Sequence, residues 1–216
     1  MRILSPLEAR ALGVLVEKQH TVPDTYPLSL NSLVAGCNQK TARMPVIEAT
    51  DAEVLTAVDG LKGMSLVFEG SSSRVVKIEH NMGRVLGLPS QAVALLAALM
   101  LRGPQTAAEL RLNCERLHRF ADISSVEGFL DELAAKDPPR VVKLGRAAGA
   151  REARWAHLLC GEVASLPAAA QAGGSEGVSA GEIAALRAEQ TRLAAEVAEL
   201  RALVQRMARE LGIEGP

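Results

Sequence analysis

A mostly α, α+β fold is predicted by three features of this 216-residue sequence. Helix-starting boxes recur along residues 1–136, short β-type runs follow the third helix of each half, and the C-terminal residues keep a heptad register. Hydrophobic residues make up 48% and charged residues 23%, so most of the chain can bury a core. Aromatics are only 2%, which leaves Leu, Val, Ala and Ile to build that core and favours helices.

The first helix starts at Ser5-Pro6-Leu7-Glu8, with Ser5 as cap, Pro6 at the first position and Glu8 returning a bond. Leu7, Ala11, Val14 and Leu15 continue it at helical spacing. Pro23 and Pro27 bracket a turn, and a second helix runs through Leu30, Leu33 and Val34 to about Gly36. Residues 38–49 read as a polar loop with Lys40, Arg43 and Pro45. Thr50-Asp51-Ala52-Glu53 opens a third helix with Val54, Leu55, Val58 and Leu61 on one face, ended by Gly63. The runs Ser65–Glu69 and Arg74–Glu79, separated by Gly70 and three serines, make a hairpin.

The same order returns. Ser90 begins a helix through Val93, Leu96 and Leu99 that stops at Gly103-Pro104. Thr106-Ala107-Ala108-Glu109 caps the next, which carries Leu110 and extends toward Leu117. Ser124-Ser125-Val126-Glu127 caps a third with Val126, Phe129, Leu130 and Leu133, ended by Asp137-Pro138-Pro139. Val141–Leu144 and Ala153–Leu158 form a second hairpin around Gly145 and Gly149. Three helices and a hairpin, found twice, predict tandem winged-helix domains at residues 1–83 and 84–160.

Residues 161–181, rich in Ala, Gly and Ser, read as a flexible linker. Over 182–213 the heptad a positions are Ile183, Gln190, Val197, Val204 and Leu211, and the d positions are Leu186, Leu193, Leu200 and Met207. Mostly β-branched residues at a with Leu at d favour a parallel two-stranded coil, and polar Gln190 can set its register. The competing arrangements are an antiparallel coil and a helix folded back on the globular part. A homodimer joined by this coil is the expectation.

Cys37, Cys114 and Cys160 are odd in number and far apart, which argues against a disulfide framework and for the cytoplasm. The N-terminus turns polar too early for a signal peptide. The longest apolar stretch, Val93–Leu101, is about half of the ~20 residues a membrane span needs, so no membrane association is expected. Cys114 with His118, and His157 with Cys160, could share helix faces, but a structural zinc site needs four ligands and no C-x-x-C occurs. Buried thiols and surface imidazoles are the simpler reading. No phosphate-binding glycine motif and no nucleophile elbow is present, so no cofactor, no metal and no enzymatic activity are expected.

A long segment, Glu17-Lys18-Gln19-His20-Thr21-Val22-Pro23-Asp24-Thr25-Tyr26-Pro27-Leu28-Ser29-Leu30-Asn31, resembles the YceH-like bacterial proteins. So do Leu4–Arg10, Cys37–Thr41 and Leu101–Thr106, and the resemblance extends over about residues 4–160. It implies a tandem winged helix and a bacterial source, and no particular activity. Met44 stands where the resemblance implies an acidic residue after Arg43.

Charge then directs the functional expectation. Residues 84–158 carry 11 basic and 8 acidic groups, whereas residues 1–83 carry 8 and 9. In the second hairpin Arg140, Lys143, Arg146, Arg151 and Arg154 face only Glu152, a candidate phosphate-contacting edge. Arg111, Arg116 and Arg119 form a second candidate cluster, and Lys40 with Arg43 a third. Against this, Asp51, Glu53 and Asp59 in one third helix, and Glu127, Asp131 and Glu132 in the other, would repel phosphates. A dimeric DNA-binding or transcription-regulatory protein is the leading expectation. The alternative is a scaffold that uses its winged helices to bind an unidentified protein partner.

Overall fold

A computed structural model describes residues 2–70, 75–146 and 152–162. The coiled coil expected at 182–213, its dimer-forming positions, and the linker beyond Glu162 lie outside the described residues. Residues Met1–Ser165 belong to one compact unit. It is mostly helical, with small antiparallel sheets.

Helix α1 spans Pro6–Thr21, and every residue from Glu8 to Val16 is buried. A helix apolar on nearly all sides must lie at the centre of its fold. The α1 capping box forms: the Glu8 amide donates to Ser5 Oγ at 3.2 Å, and the Ser5 amide to Glu8 Oε2 at 2.7 Å. Around α1 lie α2 (Leu30–Cys37), α3 (Asp51–Gly63) and α5 (Ser90–Arg102). Helix α5 is buried from Ala92 to Leu101 and meets α1 along its length. Its partner face needs small residues: a Cβ built on Gly13 would come 3.0 Å from Leu101 Cγ. The approach of α2 is closer, because a Cβ on Gly36 would lie 2.5 Å from Val14 Cγ1.

Strands β1 (Val67–Gly70) and β2 (Lys77–His80) pair antiparallel, with Phe68 opposite Glu79. Leu28, between α1 and α2, adds a third rung by exchanging backbone bonds of 3.0 and 2.7 Å with Ile78. The second half repeats the plan. Helices α6 (Ala107–Asn113) and α7 (Ile123–Ala134) precede β3 (Val141–Lys143) and β4 (Trp155–His157). Gln105, between α5 and α6, exchanges bonds of 3.0 and 2.7 Å with Trp155. A third rung therefore enters at the same point of both halves.

Several boundaries differ from the sequence expectation. Helix α7 is capped by Asp122, whose carboxylate accepts the Ser125 amide at 2.7 Å; Ser124 already lies inside the helix. Helix α6 stops at Asn113, so Leu117 packs from the following turn. A short helix α4 (Met82–Leu86), ended by left-handed Gly87, spans residue 83. Leu55, expected on the buried face of α3, is 43% exposed, because its neighbours Val54 and Val58 take the core positions.

The imidazoles of His80 and His157 are not on the open surface. Burial pushes both down to about 4 from an ordinary 6.5. The unfolded chain then takes up these protons first, so the stability these two groups contribute is fully present above pH 6.5 and is lost as pH drops from 6.5 toward 4. Urea midpoints of the full chain should decline across that window, and less so in His157→Gln. A second expectation concerns the α1–α2 approach. Gly36→Ala should lower stability by about 1–3 kcal/mol through overpacking against Val14, read as a lower urea midpoint at unchanged slope.

Candidate nucleic-acid interface

The structure separates the candidate cations into engaged and free groups. Arg43 is buried: its side chain has 0% exposure and grips Glu17 with both terminal nitrogens, at 3.1 and 2.6 Å. Its Nε donates to the Gly36 carbonyl at 3.1 Å. It therefore ties the loop 38–49 to α1 and α2 and has no face left for a phosphate. Asn38 closes the same loop, donating to the Ala49 carbonyl and accepting the Ala49 amide, each at 2.8 Å. Lys40 alone of this pair stays exposed.

In the second half, Arg154 is half-buried and reaches the Pro104 carbonyl at 2.8 Å and Glu109 Oε1 at 3.1 Å. Arg111 donates to the Ala121 carbonyl at 3.1 Å, and exposed Arg119 pairs loosely with Glu115 at 3.6 Å. Arg140 is half-buried at the base of the hairpin, where its backbone bonds Leu133 and Leu158. Lys143, Arg146 and Arg116 remain exposed. Arg151 lies outside the described residues.

The third helices present carboxylates outward. On α3 the exposed stripe at four-residue spacing is Asp51, Leu55 and Asp59; on α7 it is Ile123, Glu127 and Asp131. Leu55 and Ile123 are 43% and 44% exposed. Each stripe thus joins one aliphatic side chain to two acids. Sequence reading identified the acids but not these two apolar neighbours, since Leu and Ile at helical spacing look like core until the neighbouring turn is placed.

Two further residues escaped sequence reading. Arg10, 3% exposed, donates to the Cys37 carbonyl at 3.2 Å and the Pro45 carbonyl at 2.6 Å. Gln105, 4% exposed, donates to the Ala98 carbonyl at 3.1 Å and accepts from Asn113 Nδ2 at 2.6 Å. For Arg10 there was a signal: a cation set among Leu7, Ala11 and Val14 on a helix without a polar face. The thiols of Cys37 and Cys114 are buried and pushed up to about 11 and 12, which keeps them protonated and unreactive. Among the described residues no three His, Cys, Asp or Glu side chains gather as a metal site, and no helix is long and apolar enough to cross a membrane.

The fold and this surface describe a mostly helical α+β protein built of two similar helix-and-hairpin halves with acidic third helices. The chain belongs to the family described as "Protein of unknown function, DUF480", which matches residues 4–172. It is 71% identical over 215 residues to a UPF0502 protein of Burkholderia multivorans, spanning 99% of this chain and 92% of the relative. UPF0502 proteins of Burkholderia pseudomallei and Burkholderia cenocepacia are each 69% identical, with the same coverage. These relatives agree with the resemblance to YceH-like bacterial proteins.

The Arg43–Glu17 pair gives a direct check on the buried loop anchor. Arg43→Ala takes from the Glu17 carboxylate its buried bidentate partner, leaving only Lys18 at 3.7 Å, and leaves the Gly36 carbonyl without the Arg43 Nε. A loss of about 3–5 kcal/mol in folding stability is expected by chemical denaturation. Lys40→Ala, at an exposed site, should change stability by less than about 0.5 kcal/mol.

Proposed function

We propose that each half is a winged helix and that the chain is a non-enzymatic scaffold whose tandem winged helices bind a basic protein partner. The carrying observation is the pair of exposed stripes, Asp51-Leu55-Asp59 and Ile123-Glu127-Asp131, on the helices that would enter a DNA groove in a nucleic-acid reader. Carboxylates there repel phosphate but complement a cationic protein surface, and the exposed aliphatic residue supplies a desolvated centre. The winged-helix assignment itself is supported by the repeated order of helix, bridging residue, two helices and hairpin. The heptad positions of residues 182–213 fit a device that pairs two copies, so that four winged helices would act together.

A second reading, a dimeric DNA-binding regulator, is favoured by one observation: Lys143 and Arg146 remain exposed on the second hairpin, and Arg116 is exposed on the turn after α6. The engagement of Arg43, Arg154 and Arg111 with the protein's own groups counts against an extended basic surface.

Two measurements on the full chain separate these readings. Affinity capture from a Burkholderia lysate should retain a stoichiometric partner with a basic surface. Leu55→Arg and Glu127→Lys should each weaken its binding by about thirtyfold, equivalent to ~2 kcal/mol. Fluorescence anisotropy with mixed duplex fragments should show no appreciable affinity as salt is lowered. Salt-sensitive duplex binding that is lost when Lys143, Arg146 and Arg116 are changed to Glu would replace the scaffold with the regulator.

A further inference from the structure

Between the start of α7 and the β3–β4 hairpin lies an open cleft of about 370 Å³. Its walls hold Ile123 and Glu127 from α7, and Lys143, Arg146, Glu152 and Trp155 from the hairpin side. Both signs of charge therefore meet in one concavity without neutralising each other. Among the described residues, Glu127, Arg146 and Glu152 have no ion-pair partner within 4.0 Å. The Lys143 ammonium lies 5.2 Å from the centre of the Trp155 ring and covers the floor of the cleft. Ile123, 44% exposed, presents an aliphatic surface beside these charges.

This combination selects by chemistry. A nucleic-acid strand would meet the two carboxylates, and a purely cationic peptide would meet Lys143 and Arg146. A ligand carrying one charge of each sign satisfies both sets at once, and an aliphatic group on it gains the contact with Ile123. The cleft is open on one side, so a ligand held here keeps part of its surface in solvent and binds through its charges.

We propose that this cleft binds a small zwitterion with an aliphatic side chain, an amino acid or a dipeptide. Its carboxylate meets Lys143 and Arg146, its ammonium meets Glu127 and Glu152, and its side chain rests on Ile123. The two sources share one chemistry and differ in the separation of their charges. The site shares Ile123 and Glu127 with the stripe of the scaffold reading, but its test uses small ligands alone, so the failure of one reading is distinguishable from the failure of the other.

Trp155 is the chain's one tryptophan, so intrinsic fluorescence reports on the cleft floor, where a bound carboxylate would draw Lys143 from the ring. The full-length protein is titrated with L-leucine and with L-leucyl-L-leucine, followed by emission and by isothermal calorimetry. A saturable change at millimolar concentration is expected from at least one probe, and the tighter of the two identifies the source. L-Leucinamide, which lacks the carboxylate, and 4-methylpentanoate, which lacks the ammonium, should each bind about tenfold more weakly or worse. Glu127→Gln and Arg146→Gln, both at exposed positions and checked for unchanged circular dichroism, should each weaken the zwitterion about tenfold. The proposal is overturned by the absence of both signal and heat with both probes. Equal binding of the singly charged analogues, or unchanged affinity in both variants, overturns it as well.

Discussion

The central burial of α1 is the constraint on which the rest of this fold depends. Nine consecutive residues, Glu8 to Val16, are out of water, so the helix must be wrapped by α2, α3 and α5 together. That wrapping requires axes close enough to touch, and Gly13 and Gly36 allow it by leaving room for Leu101 and Val14. The chain therefore cannot be understood as two halves that meet casually. The first helix of each half is the other's main neighbour, and the apolar cluster runs from Leu4 through α5 to Leu159.

Burying the middle of a helix also buries its polar residues, and each has a partner supplied from elsewhere. Glu8 receives Arg2 and its own cap, and the Arg2 guanidinium holds its carboxyl below the ordinary range. Arg10 donates to two carbonyls around the loop 38–49, and Glu17 at the end of the buried run takes Arg43 from the same loop. A charged group inside a protein is tolerable only with such compensation. The consequence reaches the surface: a loop that reads as polar and exposed is a fastening, and its arginine is internal.

What remains outward is consequently not what the sequence totals suggest. Cations at Arg43, Arg111 and Arg154 are turned inward to carbonyls and carboxylates, whereas Asp51, Glu127 and Asp131 face solvent beside Leu55 and Ile123, and Asp59 pairs with Lys62 on the surface of α3. Net charge over a segment counts these groups equally. Availability depends on which of them the backbone carbonyls capture, and those carbonyls come together only on folding.

By itself the sequence determined the local order of this protein. Capping at Ser5, Thr50 and Thr106 was legible because a cap and its return residue sit three positions apart, within one turn. Helix, helix, helix and hairpin could be read twice from periodicities of the same short range. Tertiary structure decided what no local pattern contains: the bridging rungs at Leu28 and Gln105, the α1–α5 contact, the exposure of Leu55 and the capture of Arg43 by Glu17. Glu17 and Arg43 are 26 positions apart, and Gln105 and Trp155 are 50 apart, so only the packed chain brings them within bonding distance. The candidate site was legible as a list of charges. Which of them face water is a property of the fold, because burial and pairing are set by neighbours distant in the chain.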